Sequence, residues 1–253
     1  MKIYSYNVNG IRSAMNKGLL EWIAQSDADV LCLQELKAQE NQIDIPSLEK
    51  LGYRVYLHTA VKKGYSGVAI ITRAEPVHVE YGSGNSTYDS EGRILRMDLN
   101  EYSILSVYIP SGSSGDERQA FKMKFLDFFL DYITELKKSV PRLVISGDFN
   151  ICHKPIDIHN PVSNKNSSGF LPEEREWVTN FLEAGFTDTF RFFNSDPHHY
   201  TWWSFRANAR ARNLGWRIDY HMTTKNLDDR LKSASIFPEA VHSDHCPILL
   251  EIE

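Results

Sequence analysis

Short apolar segments rich in β-branched and aromatic residues recur along the chain, each bounded by Gly, Pro, Asn or Asp. Segments of this length and composition predict strands rather than helices. The predicted strands are residues 2–7, 30–34, 54–58, 67–72, 77–81, 94–98, 103–108, 142–146, 217–222 and 246–252.

Between these strands, three stretches carry apolar residues at helical spacing. One covers residues 19–23, the longest covers residues 121–136 and ends before Pro141, and the third begins at Pro172 and ends at Gly185. Proline at a helix start and glycine at its end support these limits. We interpret the aromatic stripes on these helices as core packing. Many strands with few helices predict two sheets packed face to face with helices outside.

Composition places the chain among ordinary globular proteins. It has 253 residues, 42% of them hydrophobic and 24% charged, which predicts one domain over residues 1–253. No uncharged apolar run approaches the roughly 18 residues of a membrane helix, and the N-terminus lacks the apolar core of a secretory signal. Three cysteines without CxxC spacing indicate reduced, buried thiols rather than disulfides or a zinc site. We therefore expect a cytoplasmic protein that does not contact membranes.

The formal charge of −5 does not by itself indicate a nucleic-acid partner. It does not exclude one either, because a local basic groove can lie on an acidic protein. Residues 200–220 form such a candidate, since aromatic residues alternate there with Arg206, Arg210, Arg212 and Arg217. Aromatic rings stack on bases and arginine pairs with phosphate. Composition alone leaves open whether this is a nucleic-acid surface or an arginine-rich loop over a core.

Several predicted strands end in polar side chains that are costly to bury. Because the start of an antiparallel strand lies at the same sheet edge as the end of its neighbour, one edge can gather them all. The residues expected at this edge are Asn7, Glu35, Tyr108, Asp148, Asn150, Asp244 and His245. Spacing of two residues would direct Asp148 and Asn150 to one side of an extended segment.

Each of these motifs alone has an ordinary structural explanation. Glu35 could be a solvated strand end, residues 147–150 a turn, and the pair of Asp244 and His245 a surface pair. Cys246 beside His245 could suggest a thiol nucleophile, but adjacent strand residues face opposite sides, which favours a packed cysteine.

Together, carboxylates and amides without clustered Cys or His favour a hard cation such as Mg²⁺ or Mn²⁺. A histidine, a tyrosine and a further carboxylate add acid–base and phosphate-contacting groups. This set of side chains is typical of metal-assisted phosphodiester hydrolysis.

The motifs, taken together and in order, resemble the exonuclease III / AP endonuclease family within the DNase I-like endonuclease/exonuclease/phosphatase superfamily. The resemblance covers nearly the whole chain. It rests on residues 7–10 (NVNG), 33–35 (LQE), 64–69 (GYSGVA), 91–93 (EGR), 147–150 (GDFN), 157–161 (DIHNP), 213–220 (NLGWRIDY) and 243–245 (SDH).

This resemblance implies a four-layer α/β sandwich with two mixed, mainly antiparallel sheets and an active site at one rim. It implies Mg²⁺-dependent cleavage 5′ to abasic sites in duplex DNA, with 3′→5′ exonuclease action and removal of 3′ blocking groups. Mn²⁺ is a possible substitute for Mg²⁺. Abasic or 3′-blocked double-stranded DNA is the implied partner, and a monomer is the default assembly.

The resemblance also implies roles for individual residues. Glu35 is expected to be the main metal ligand, with Asn7 close by. Asp148 would deprotonate the attacking water, and Asn150 would hold that water or the phosphate. The complete expected metal set is Asn7, Glu35, Asp148, Asn150, Asp244 and His245.

Tyr108 and His245 are expected to contact the scissile phosphate. The resemblance implies that Asp244 orients His245 and that Asp219 supports both His245 and Tyr108. The implied DNA-binding and abasic-pocket residues are Trp202, Trp216, Ile218, Arg206 and Arg210.

Two rival functions remain at this point. Another phosphoesterase of the superfamily, acting on inositol phosphates, sphingomyelin or nucleotides, would share the acidic residues but is not expected to share residues 202–220. A binding module without catalysis would have lost some competent residue, and none is lost here. Ser111 departs from the Asn or Gln that is common in the family, which leaves a phosphate contact there open.

Overall fold

The apolar segments form the strands of two six-stranded sheets in the computed structural model, which describes residues 1–253. The strands are β1 Lys2–Asn7, β2 Val30–Gln34, β3 Arg54–His58, β4 Val68–Thr72, β5 His78–Tyr81, β6 Ile94–Asp98, β7 Ser103–Tyr108, β8 Leu143–Asp148, β9 Phe186–Asp188, β10 Asp219–Thr224, β11 Leu231–Ile236 and β12 Ile248–Ile252. The first sheet has the order β11-β12-β1-β2-β4-β3, and the second has the order β5-β6-β7-β8-β10-β9.

Eight α-helices connect these strands: α1 Ile11–Met15, α2 Leu19–Ser26, α3 Ile45–Lys50, α4 Ser86–Asp89, α5 Asp116–Ser139, α6 Pro161–Asn164, α7 Pro172–Glu183 and α8 Thr189–Phe193. The longest, α5, begins with Asp116 and Glu117 and ends near Lys137 and Lys138, charges that complement the helix dipole. No helix is both long and apolar enough to cross a membrane.

Three apolar cores separate four layers. Between the sheets, Ile3, Val30 and Ile70 of the first meet Leu95 and Ile104 of the second. One outer core joins the first sheet to α1, α2 and α3, and the other joins the second sheet to α5 and α7. Both sheets are mixed, because β1–β2 and β7–β8 are parallel while the other pairs are antiparallel. The expected four-layer α/β sandwich is therefore confirmed.

All ten predicted strands exist, five of them with the predicted ends and five with shifted ends, but two strands were missed. β9 is only three residues long, and β11 is a partly exposed edge strand of sequence LKSASI with little apolar character. β8 extends to Asp148, two residues beyond the predicted end, whereas β12 begins two residues after the predicted start. The three cysteines, Cys32, Cys152 and Cys246, are buried and free, as expected.

Candidate active site

The register of the second sheet places three polar side chains in a row at one rim. Tyr108 ends β7, Asp148 ends β8, and Asp219 begins the antiparallel β10. Tyr108 pairs with Asp148 across the parallel β7–β8 ladder, and Asp148 pairs with Asp219 on its other side. The sequence-based argument from sheet edges is thus correct for Tyr108 and Asp148, whereas Asp219 was expected here only from the resemblance.

The first sheet contributes Asn7 and Glu35 at the same rim, at the ends of its parallel pair β1–β2. Asn7 is fully buried, and its Nδ2 donates to Glu35 Oε1 at 2.8 Å and to Asp148 Oδ2 at 2.8 Å. Its Oδ1 accepts from the backbone N–H of Asn9 at 3.0 Å. Asn7 therefore joins the two sheets and turns its amide nitrogen, not its oxygen, toward the Glu35 and Asp148 carboxylates, so in this structure it positions both of them.

Glu35, Asp148 and His245 offer ligand atoms that all lie within 4.8 Å of one another. Two of the three donors are carboxylates, which hard divalent cations prefer. Burial raises the pKa of Asp148 to about 8, a shift that Asp219 and Glu35 increase and His245 opposes. Crowded carboxylates of this kind need additional positive charge in order to ionise together. The donor set and its electrostatics thus fit a bound metal ion.

Glu35 remains acidic in spite of its burial. Burial opposes its ionisation, but Lys37, the Asn7 amide and His245 together hold the pKa of Glu35 below its usual value. Its backbone adopts a left-handed conformation with φ of 53°, which is uncommon for residues other than glycine. Such local strain concentrates at functional sites.

His245 is held by Asp219, not by Asp244. Its Nδ1 lies 2.9 Å from Asp219 Oδ2, and its Nε2 faces Asp148 Oδ2 at 3.9 Å. Burial opposes protonation of the ring, but Asp219, Asp148 and Asp244 raise the pKa of His245 to about 10. The ring is therefore an imidazolium at neutral pH, with its Nε2 directed at the cleft. In this form it offers no lone pair to a metal ion, which leaves Glu35 and Asp148 as the candidate ligands of the cluster.

The expected roles of Asp244 are corrected. Its Oδ2 accepts from Trp202 Nε1 at 2.9 Å, and its Oδ1 accepts from Asn9 Nδ2 at 2.9 Å. Asp244 therefore fixes one pocket wall, and it does not bond to the His245 ring, which bonds to Asp219 instead. Its carboxylate also lies outside the cluster of Glu35, Asp148 and His245, whose ligand atoms lie within 4.8 Å of one another.

Asn150 has a left-handed backbone with φ of 52°, so the segment from Asp148 is a turn and not an extended strand. The alternation argument for this pair is wrong, but the turn itself brings them together. The Asn150 backbone N–H donates to Asp148 Oδ1 at 2.8 Å, and its Nδ2 donates to Asp148 Oδ2 at 3.1 Å and to Ile109 O at 2.9 Å.

A buried ion pair supports this turn from behind. Lys122 Nζ donates to the Asn150 carbonyl at 2.9 Å and to Glu174 Oε1 at 2.5 Å, and both charged side chains are almost completely buried. The second carboxylate oxygen of Glu174 accepts from the backbone N–H groups of Gly169 and Leu171. The pair therefore holds Asn150 and the segment containing Gly169 in one arrangement.

Tyr108 lies over a buried arginine. The Arg93 guanidinium is 4.7 Å from the centre of the Tyr108 ring and donates to the Tyr108 carbonyl at 2.8 Å. Burial and the neighbouring Glu35 carboxylate nevertheless raise the pKa of Tyr108 well above its usual value. The phenol is therefore a hydrogen-bond donor, which suits the expected contact to phosphate.

One cleft of about 320 Å³ contains both these catalytic candidates and an apolar wall. Trp202 and Trp216 meet edge to face at 5.9 Å, with Ile218 beside them. Gly169 packs directly against this wall, where an added Cβ would lie 3.0 Å from the Trp216 ring. The cleft is lined by Glu35, Tyr108, Ser111, Ser113, Asn150, Ser168, Gly169, Trp202, Trp216, Ile218, Asp244 and His245.

The two arginines expected to bind DNA differ in their surroundings. Arg206 is exposed at the surface in a short 3₁₀ turn. Arg210 instead donates to the carbonyls of Ser243 and Ala240 and stacks on Trp203 at 4.6 Å. Its donors are used to hold the loop that carries His245, so the structure gives Arg210 an internal role and leaves Arg206 as the surface cation.

A model of the endonuclease/exonuclease/phosphatase family matches residues 4–245, nearly the whole chain. The chain belongs to this family. The match spans every element that contributes to the cleft, from Asn7 to His245.

Relatives within the family are nucleases. The exodeoxyribonuclease of Bacillus subtilis is 44% identical over 254 residues, covering 100% of this chain and 99% of the relative. The DNA repair nuclease APEX1 of Danio rerio is 39% identical, covering 99% of this chain and 81% of the relative. Among solved structures, an AP endonuclease from Archaeoglobus fulgidus superimposes with a TM-score of 0.91 at 29% identity, covering 100% of this chain and 99% of the other.

Two features of this family member escaped sequence reasoning although the sequence carries a signal for each. Lys122 lies on the apolar face of α5, among Phe125, Leu126 and Phe129, where a lysine needs a buried partner. The sequence analysis treats Arg217 only as one of several arginines in residues 200–220 and predicts no buried partner for it. It is buried between Asp157 at 2.7 Å and Asp188 at 2.6 Å, and so anchors the segment that runs from Trp216 into the start of β10 at Asp219.

Proposed function

We propose that this protein is a Mg²⁺-dependent DNA repair nuclease that cleaves the phosphodiester 5′ to abasic sites in duplex DNA. The same site would act as a 3′→5′ exonuclease and remove 3′ blocking groups. The observation that carries the proposal is the single cleft in which a carboxylate–histidine cluster adjoins the aromatic wall of Trp202 and Trp216. The activities named for the relatives from Bacillus subtilis and Danio rerio agree with it.

Glu35 and Asp148 are the residues that would hold Mg²⁺. A bound ion would supply positive charge that offsets the phosphate charge and favours the anionic form of Asp148. Asp148 would accept a proton from the attacking water, which the Asn150 amide would hold in place. The water oxygen bonds to phosphorus, the bond from phosphorus to the 3′ oxygen of the preceding nucleotide breaks, and that oxygen takes a proton from solvent and leaves as a 3′-hydroxyl. His245 would donate from Nε2 to the phosphate as an imidazolium, and Tyr108 would donate from its phenol.

Selection for a baseless nucleotide would depend on the apolar wall of this cleft. Trp202, Trp216 and Ile218, with Gly169 packed against Trp216, would form a recess for a sugar that carries no base. An abasic nucleotide also loses little stacking when it leaves the helix, which favours its extrusion. Arg206 lies outside this recess, where it could contact the DNA backbone.

We further propose that the protein acts as a monomer in the cytoplasm. The cleft is complete within one chain, and the three free, buried thiols suit a reducing compartment.

The test is cleavage of an end-labelled duplex carrying one abasic-sugar analogue, with Mg²⁺ or with EDTA, beside an undamaged duplex. We expect one Mg²⁺-dependent nick 5′ to the lesion. Shortening of the undamaged strand without that nick would make the protein chiefly an exonuclease. Hydrolysis of a small phosphoester with no DNA cleavage would instead support the phosphoesterase rival.

Glu35→Gln provides the matched variant, because it keeps the size of the side chain and removes the charge. We expect turnover to fall by at least about 100-fold, while binding to the duplex, measured by fluorescence anisotropy, persists. Unchanged cleavage by this variant would remove Glu35 from the metal site.

A further inference from the structure

Glu35 and Lys37 both have a strained, left-handed backbone conformation, and this conformation brings their side chains together. Glu35 has φ of 53° and Lys37 has φ of 48°, while the intervening Leu36 is buried. The backbone is fixed on both sides of this conformation, because Leu36 N–H donates to Gly67 O at 3.1 Å and Lys37 N–H donates to Ser66 O at 2.9 Å. A left-handed conformation at two non-glycine positions persists only where the surroundings enforce it.

The lysine ammonium covers the one Glu35 oxygen that Asn7 does not use. Lys37 Nζ lies 2.6 Å from Glu35 Oε2, whereas Asn7 donates to Oε1. The same ammonium donates to Asn9 Oδ1 at 2.5 Å, and Asn9 in turn donates to Asp244. The Lys37 side chain is one-third exposed, so it can move away from this position without unpacking the core.

We propose that Lys37 is a built-in competitor of the metal ion, which neutralises Glu35 in the metal-free protein and must leave Oε2 before a divalent cation can bind there. The inference rests on the metal site of the proposed function and adds Lys37 as a residue that sets the affinity of this site for a divalent cation. Without DNA, the tethered ammonium keeps metal binding weak. A substrate phosphate supplies negative charge for both cations, so DNA binding and metal binding reinforce each other.

Removing the ammonium should strengthen metal binding in the absence of DNA. A single positive charge within a few ångströms of a divalent ion, in a partly solvated site, weakens binding on the order of tenfold. Lys37→Met is therefore expected to bind Mn²⁺ about tenfold more tightly than the unmodified protein. Lys37→Arg, which keeps the charge, should show no such gain.

Lys62→Met is the matched control. Lys62 and Lys37 both line a second cleft, which lies beside the first and shares Glu35 and Tyr108 with it. Lys62 is exposed, lies 5.2 Å over the Tyr65 ring and makes no contact with Glu35. The variant removes the same charge from the same region, so we expect a change in Mn²⁺ affinity of no more than about twofold.

The measurement is direct Mn²⁺ binding by electron paramagnetic resonance of the free ion, at constant ionic strength and without DNA. Thermal melting followed by circular dichroism checks folding, and the upward shift of Tm on adding Mn²⁺ should be larger for Lys37→Met than for the unmodified protein. If Lys37→Met fails to fold, Lys37→Gln makes the same test with a polar side chain.

The outcomes separate the two proposals. Tighter binding by Lys37→Met with no change in Lys62→Met supports the competitor. Equal or weaker binding by Lys37→Met overturns it and leaves the proposed metal site standing, provided that Glu35→Gln loses Mn²⁺. If Glu35→Gln binds as well as the unmodified protein, or if no variant binds Mn²⁺, the metal assignment fails and the competitor fails with it.

Discussion

The pairing of His245 with Asp219 allows a quantitative test through Asp219→Asn. The substitution replaces the carboxylate that lies 2.9 Å from His245 Nδ1 with a neutral amide of the same shape. Asp219 is the strongest of the influences that raise the pKa of His245 to about 10 against the opposing effect of burial. Without it, burial and the carboxylates of Asp148 and Asp244 oppose each other, and we expect a pKa near the ordinary ~6.5.

The size of the effect depends on the charged fraction of the ring. With a pKa of about 10, nearly every imidazole is charged at both pH 6 and pH 8. With a pKa of ~6.5, roughly three-quarters are charged at pH 6 and roughly 3% at pH 8. If the imidazolium neutralises the phosphate, the rate of the variant relative to the unmodified protein should be about 25-fold greater at pH 6 than at pH 8.

The assay is single-turnover cleavage of the abasic duplex at saturating Mg²⁺ across this pH range. Taking the ratio of the two rates cancels pH effects that both proteins share. Asp196→Asn, which neutralises an exposed carboxylate, should leave the ratio near one at every pH. A ratio for Asp219→Asn that is low but independent of pH would refute a cationic role for His245.

Three further predictions concern stability and the pocket. Burial lowers the pKa of His221 from its ordinary value of 6.5 to about 4. Between these pH values the ring is neutral in the folded protein and protonated in the unfolded chain. The free energy of unfolding should therefore decrease as pH falls from 6.5 toward 4, by about 3 kcal/mol in total. Urea unfolding at several pH values measures this, and an unchanged pH slope in His221→Gln would contradict it. Arg217→Met leaves Asp157 and Asp188 buried without their partner and should lower the free energy of unfolding by about 3–5 kcal/mol. Adding Asp188→Asn should restore part of that loss, and no recovery would mean that the charges are not the cause. Trp216→Ala should reduce abasic cleavage by roughly tenfold or more and exonuclease action by less. Equal losses in both assays would show that Trp216 supports the fold rather than the pocket.

The local sequence pattern was sufficient to predict most of the strands and the rim where the candidate site lies. Apolar runs marked ten of the twelve strands, because the side chains that a strand directs into a core are mostly apolar. Polar side chains at the ends of those strands marked the rim, because nothing in an ordinary core explains them. Tyr108, Asp148 and Asp219 meet there through strand register alone.

What local pattern did not determine is which distant groups become partners. Asp244 is adjacent to His245 in sequence, yet the ring bonds to Asp219, because the chain path before β12 turns the two neighbours in opposite directions. Arg210 lies in an arginine-rich segment, yet its donors are taken by the carbonyls of a loop near the end of the chain. Hydrogen-bonding partners depend on register and loop path, which composition does not report.

The same distinction applies to the candidate catalytic groups and to the residues that hold them in place. The sequence by itself predicted the candidate metal-binding and acid–base groups, because only certain side chains can perform hydrolysis. Tertiary structure decided how they are held: Lys122 and Glu174, distant in sequence, become a buried pair behind Asn150, and Lys37 comes to rest on Glu35. A buried charge requires a partner at hydrogen-bond distance, and only the folded chain determines which one it receives.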